Sequence, residues 1–151
     1  MASRFFRSAG LIFGFLLLIG CGVNKNEEEA KNFVQNYCSI LQLTYARADL
    51  NVLAQVTTEK ELKKVFPVIQ ALKATGNIMK TEVLEFNIKK AKVKDDSAIV
   101  RTHERWRYWW EDGNTGSITK PKNEETYNLE YHLIKERNGQ WKVDFIKNLD
   151  E

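Results

Sequence analysis

Cysteine, histidine and proline are scarce, with two of each in 151 residues. The cysteines are Cys21 and Cys38, and no Cys-x-x-Cys occurs. Once Cys21 takes the role given below, Cys38 has no mate for an internal disulfide, even in an oxidising compartment. No histidine stands near Cys38, so its position reads as a buried helix face rather than a reactive thiol. His103 and His132 have neither a neighbouring cysteine nor Glu-x-x-His spacing, which leaves no metal motif. The chain also lacks a Ser-His-Asp set, a glycine-rich phosphate loop and internal repeats. No apolar run reaches the roughly 20 residues that span a bilayer as a helix. Charge of one sign is missing too: 23 basic residues face 20 acidic ones. A near-neutral domain gives no case for nucleic acid as a partner.

What is present begins at the N-terminus. Arg4 and Arg7 precede an apolar stretch, Leu11 to Ile19, that ends in Leu18-Ile19-Gly20-Cys21. A positive region, a short apolar region and small residues before a cut describe a secretion signal. The last four residues resemble the bacterial lipobox, in which the cysteine thiol carries a diacylglycerol and cleavage falls just before it. This resemblance assigns residues 1–20 to a lipoprotein signal peptide and lipidation to Cys21. Residues 21–29 become the lipidated cysteine and its polar tether. Two or three acyl chains hold a protein to a membrane far more firmly than one. Gly22 stands where an aspartate would retain a lipoprotein at an inner membrane. The expected location is therefore the cell envelope, on an outer membrane facing the periplasm if the cell has two. Removing residues 1–20 leaves 21 basic and 20 acidic residues, a net charge of +1.

Two helices follow. Ala30, Phe33, Val34, Tyr37, Cys38, Leu41, Tyr45 and Ala48 recur at steps of three and four, which predicts an amphipathic helix over 27–48. A short turn around Val52 to Val56 comes next. Thr58-Glu59-Lys60-Glu61 has the form of a capping box. It opens a second stripe made of Leu62, Val65, Phe66, Ile69 and Leu72. Pro67 inside that stripe predicts a kink or break, and Gly76-Asn77 ends the helix.

The remainder reads as four strands. Leu84, Phe86 and Ile88 alternate with polar residues, and Ala91 and Val93 rejoin their face only through a bulge near Lys89-Lys90. Lys89, Lys90, Lys92 and Lys94 read as a solvated face. After a turn at residues 94–97, Ala98 to Trp110 forms the central strand and carries three of the four tryptophans. Its alternation sends Ala98, Val100, Thr102, Glu104, Trp106, Tyr108 and Trp110 to one packed face. Ile99, Arg101, His103, Arg105, Arg107 and Trp109 go to a wet face. Residues 111–123 contain Gly113, Gly116 and Pro121 and read as a mobile hairpin loop. Tyr127, Leu129, Tyr131 and Leu133 alternate in a third strand. Asn138-Gly139 marks a hairpin, and Trp141, Val143 and Phe145 complete the last strand.

Glu104 is the residue with most chemical interest. It falls in mid-strand on the packed face, where it is either a general acid or base in a dry aromatic pocket or a carboxylate paired with an arginine or a tyrosine hydroxyl. Trp106, Tyr108, Trp110, Tyr127 and Tyr131 are expected to line its surroundings, as plain core or as a site for an apolar ligand or a partner's side chains. Trp109 must face outward if the strand persists, and offers a contact point there.

Ser97-Ala98-Ile99-Val100 leading to Glu104, the Tyr127-x-Leu129-x-Tyr131-x-Leu133 strand and the closing Asn138-Gly139-Gln140-Trp141-Lys142-Val143 resemble the NTF2-like superfamily. More closely, residues 27–149 resemble the intermembrane-space domain at the end of cyanobacterial and plastid division proteins. That domain also occurs alone in bacterial secreted proteins. The stretch Trp106 to Trp110 departs from the family pattern. The resemblance implies an α+β fold for residues 30–151: an NTF2-like cone, its N-terminal helices packed on a curved four-stranded antiparallel sheet. Since the superfamily hosts isomerases, dehydratases, lipid binders and interaction modules, it implies no single activity. The expected function is non-catalytic, without a cofactor. A lipid-anchored envelope domain would bind a partner protein or small apolar ligand. The rival is an isomerase- or dehydratase-type enzyme using Glu104 as its acid or base.

Overall fold

The structure, a computed structural model, describes residues 24–151. The signal segment and Cys21 lie outside the described residues. Helix α1 spans Lys25–Arg47. It begins earlier than the periodicity predicts and takes in part of the expected tether. Asn24 explains this, because its side chain accepts from the Asn26 amide at 3.2 Å, and Glu27 and Glu28 occupy the first turn where the helix dipole favours them. A single 3-10 turn, Leu53–Gln55, leads to α2, Glu59–Ala74. Strands β1 (Asn77–Lys94), β2 (Ser97–Asp112), β3 (Ile118–Lys135) and β4 (Trp141–Asn148) follow. They form one curved antiparallel sheet in the order β1-β2-β3-β4. Helix α1 packs chiefly on β1, while α2 bridges β4 and β1. The two helices thus cover the concave face, with Val34, Tyr37, Leu53, Ile69, Leu72, Val100, Leu133 and Val143 in the core.

Helix α2 runs unbroken through Pro67, against the expected interruption. Pro67 and Lys63, the residue whose carbonyl loses its partner, are both exposed, so water can take the freed bond. The capping box does not form either. Thr58 is the N-cap residue, but its hydroxyl donates to the Asp144 carbonyl at 3.1 Å and to Asp144 Oδ1 at 3.2 Å. Glu61 accepts the Ile146 amide at 3.1 Å and faces Lys64 at 3.0 Å. Both side chains tie α2 to β4 instead of closing α2 on itself. Gly76 follows α2 with φ at +66°, a backbone that favours glycine. Gly113 approaches it closely: its amide donates to the Gly76 carbonyl at 2.9 Å, and a Cβ there would stand 3.0 Å from that oxygen.

Bulges decide which residues face the helices. The expected one in β1 lies between Ile88 and Lys90, and a second falls between Val83 and Glu85. Leu84 is the extra residue of that second bulge. It leaves the packed face expected of it, and Met79, Thr81 and Val83 pair opposite Trp110, Tyr108 and Trp106 instead. In β4 a bulge between Val143 and Phe145 turns Phe145 out of the set it shares with Trp141 in simple alternation. Phe145 stacks on His132 at 4.0 Å, outside the sheet, and Ile146 takes the inner place. Residues 111–123 are mostly strand rather than a mobile loop. The true turn is short, with Asp112 Oδ1 accepting from the Asn114 and Thr115 amides at 3.0 and 2.8 Å. Pro121 tolerates the strand because β3 is bulged there and has no β4 partner before Leu129.

The outer face of β2 is basic in sequence but neutralised in the fold. Arg105 and Arg107 pair with Glu124 at 3.2 and 2.7 Å, and Arg107 reaches Glu82 at 3.0 Å. His103 Nδ1 lies 2.8 Å from Asn128 Oδ1, and His132 Nε2 lies 2.7 Å from Glu130 Oε1. Arg101 Nε donates to Glu130 at 2.6 Å and holds that carboxyl below the usual range, against the pull of burial. A depressed folded value means stability present above the unfolded value of about 4.3 and lost as pH falls through the folded one. Glu130→Gln should therefore lower stability at pH 7 by about 1 kcal/mol, since Arg101 is half exposed. Thermal melts of both proteins should converge as the pH drops below about 4.3; a gap that persists in acid would refute this.

Candidate functional site

Between α1, α2 and the upper half of the sheet lies a cavity of about 480 Å³. Glu104, Trp106, Tyr108, Trp110, Tyr127 and Tyr131 all line it, as the alternation of β2 and β3 predicts. Trp109 does not. It faces the outer side, where its indole donates to Glu111 at 2.6 Å and Lys122 lies 4.3 Å from its ring centre. The packed-face reading of β2 therefore places each of its aromatic residues correctly. Leu41, Tyr45, Val68, Met79, Thr81, Leu129 and Ile146 also line the cavity, from both helices and all the neighbouring strands. Helical spacing marked Leu41 and Tyr45 as apolar-face residues, but nothing local says that this end of the face stays uncovered. Lys120 lines it as well, and its own side chain carries no signal of that in the sequence.

The floor is polar but closed. Glu104 is fully buried. Its Oε1 accepts from Thr102 Oγ1 at 2.6 Å and from Tyr131 at 2.8 Å, and its Oε2 accepts from Trp106 Nε1 at 2.7 Å. Thr102 and Trp106 flank it at two-residue steps on one strand, so alternation alone brings all three side chains to one side. Tyr131 reaches along the face from β3, where it pairs opposite Val100. Of the two pairings that the sequence left open, the structure selects the tyrosine hydroxyl. Behind Tyr131 sits Cys38, its sulfur 3.7 Å from the hydroxyl. Burial, and then Glu104, push the Cys38 thiol up to about 12. Burial, helped by Cys38 and Glu104, also raises Tyr131 well above the ordinary tyrosine value, so its hydroxyl stays a neutral donor. Tyr37 meets the Tyr131 ring edge-on at 6.0 Å and completes this layer.

The rim is different. Tyr108 donates to Glu125 at 2.6 Å, Tyr127 donates to the other oxygen of the same carboxylate, and Asn123 bonds the Tyr108 hydroxyl at 2.7 Å. These two tyrosine bonds hold Glu125 below its usual range. Lys120 lies over the face of Trp110, 3.4 Å from the ring centre. Its inward position follows from the β3 bulges, which set Lys120 opposite Trp110 and Asn123 opposite Tyr108 with Pro121 and Lys122 between. On the wall, Gln42 Nε2 donates to the Thr81 carbonyl at 3.0 Å and ties α1 to β1, while Thr81 Oγ1 has no partner among the described residues. Also among the described residues, no three His, Cys, Asp or Glu side chains gather as a metal site would require.

An apolar, aromatic cavity whose floor carboxylate is already engaged by three donors can hold an apolar guest. The comparisons with known proteins bear on the fold that builds it. The intermembrane-space region of the chloroplast protein ARC6 superposes with a TM-score of 0.67 at 18% identity, over 82% of this chain and 95% of that one. An NTF2-like superfamily protein from Salmonella enterica serovar Typhimurium gives 0.56 at 10% identity, over 80% and 90%. A conserved protein from Planctomyces limnophilus gives 0.55 at 9% identity, over 81% and 99%. At such identities these similarities establish the NTF2-like fold and nothing about activity. No curated protein sequence matches the chain. The family described as "ARC6-like, IMS domain" matches residues 30–144, from the first turns of α1 through β3 and into the first half of β4. The chain belongs to the ARC6-like intermembrane-space domain family.

Proposed function

We propose that this protein is a lipid-anchored binding domain of the cell envelope, held by acyl chains on Cys21, whose cavity takes an apolar guest without chemical conversion. The observation that carries the reading is the state of the floor. A general acid or base must reach a substrate proton, directly or through one water. Glu104 is instead fully buried and engaged by three donors. The aromatic wall above it supplies contact area with few polar demands, as binding cavities do. The intermembrane-space origin of the ARC6 fragment supports an envelope compartment. On an outer membrane the domain would face the periplasm.

In the chain, Cys21 precedes the start of α1, whereas the cavity lies toward the other end of that helix. Lys25 begins the helix four residues after Cys21, whereas the cavity residues Leu41 and Tyr45 lie near its C-terminal end. At 1.5 Å per residue they stand about 24–30 Å further along. A domain tethered at Cys21 would thus carry its cavity toward the end of α1 remote from the tether.

Native mass spectrometry of residues 22–151, recovered from the host envelope, tests the reading. A guest mass should survive gentle purification, leave on denaturation and persist in Glu104→Gln. Glutamine fits the floor: its oxygen accepts from Trp106 while its amide donates to the two hydroxyls. A guest that wild type converts and Glu104→Gln accumulates unconverted would make the protein an enzyme. A bare mass in both would shift attention to Trp109 and the outer face as a docking surface for a partner protein.

A further inference from the structure

We propose, resting on the binding reading above, that the guest is a single-chain amphiphile with an anionic head, a long-chain carboxylate, held tail-inward with its head on Lys120. Three observations combine. The volume comes first. At roughly 30 Å³ for each water-sized group, about 480 Å³ holds about 16 such groups. That is room for one acyl chain of ordinary length. The second is the position of charge. Lys120 lies on the exposed side of the cavity, over Trp110, and no carboxylate stands within 4 Å of its ammonium among the described residues. The rim carboxylate Glu125 is held by the Tyr108 and Tyr127 hydroxyls rather than by Lys120. The third is the floor. A carboxylate head could not enter there, because Glu104 already takes the three donors present and would set two carboxylates side by side. The head must stay at the rim, where Lys120 is the one lining cation among the described residues.

The polarity is built by the fold. In an unbulged β3, Lys120 would alternate with Tyr127 and point outward. The bulges bring it inside, while Lys122 remains on Trp109 at the outer face. Two lysines two residues apart therefore serve as test and control.

The experiment titrates residues 22–151, stripped of any guest, with hexadecanoate, hexadecanol and hexadecyltrimethylammonium below their micellar concentrations. Quenching or shift of the Trp106 and Trp110 fluorescence reports binding, and native mass spectrometry reports stoichiometry. Hexadecanoate should bind one to one and about tenfold more tightly than hexadecanol, the worth of one charge-assisted bond. The ammonium amphiphile should bind weakest. Lys120→Glu should remove the preference for the carboxylate, and Lys122→Glu should leave it unchanged. Equal binding of hexadecanoate and hexadecanol, or a preference that survives Lys120→Glu, would overturn the anionic head and leave the cavity a site for neutral guests. If none of the three binds, the proposal falls. A guest mass in the native preparation would then still uphold the binding reading, and its absence would sink both.

Discussion

Glu104→Ala should destabilise the domain by about 3–5 kcal/mol, the range for removing one member of a buried polar cluster and leaving a cavity. The side chain is among the largest fully buried ones, so its loss leaves a void between β2 and the helices. It also abandons three donors. Two of these can adapt. Thr102 and Tyr131 carry hydroxyls that rotate, and Tyr131 retains Cys38 within 3.7 Å. Trp106 cannot adapt, because an indole N–H only donates and its ring is wedged among cavity residues. One orphaned buried donor costs about 1–3 kcal/mol by itself. Glu104→Gln keeps the volume and an acceptor, so it should cost far less. Urea unfolding of the three proteins, followed by tryptophan fluorescence, gives the comparison. Alanine and glutamine losses of equal size would mean that the hydrogen bonds at the floor contribute nothing and only the charge matters.

Leu53→Ala should cost about 2–5 kcal/mol, as large-to-small changes at fully buried sites do. The size is unusual for a connector. Leu53 sits in a single 3-10 turn between the helices, yet it is 0% exposed. Thr57 Oγ1 donates to its carbonyl at 2.8 Å, and Thr57 itself pairs with Val143 of β4 as a parallel bridge. The Val143 amide then donates to the Val56 carbonyl at 2.9 Å, and the Thr58 amide to the Val143 carbonyl at 3.0 Å. The link between the helices is thus stitched to the sheet edge, and Leu53 is the plug beneath the stitch. Phe66→Ala makes the control. That larger side chain lies on the amphipathic stripe of α2 but is 48% exposed, so its loss should stay within about 0.5 kcal/mol. Comparable losses at the two sites would show that the turn carries no core weight.

The candidate site was legible where alternation runs undisturbed. From Ala98 to Trp110 no residue is inserted opposite β3 before Tyr108, so every second side chain stays on one face and Glu104 falls among its aromatic neighbours. The reading failed where an inserted residue reset the alternation. Leu84, the inserted residue in β1, and Phe145, beside the bulge in β4, each turned up on the face opposite to the simple pattern, and Lys120, expected in a loop, was turned inward by the bulges of β3. Bulges form when twist and partner strands favour them, and the inserted residue need have no distinctive side chain. Pro121 was the one clue for Lys120, since a proline within a strand favours an edge or a bulge. Thr58 and Glu61 failed differently. Their spacing suits a capping box, but two partners on β4 came within reach once the chain had folded, and these long-range bonds replaced the local ones.

Sequence alone determined the helix-then-sheet order, the inward set of β2 and the location of a buried carboxylate amid tryptophan and tyrosine. Period and pattern are enough for these, because a helix repeats every 3.6 residues and a strand every two whatever they pack against. Tertiary structure alone decided that the space above Glu104 stays open and that Lys120 lines it, over Trp110. It also decided that the basic outer face of β2 is matched by Glu82, Glu124 and Glu130 from the strands beside it. Whether an apolar face is filled or hollow depends on how far two helices reach over a curved sheet. That distance is set by connections such as Leu53 and Gly76, which no period records.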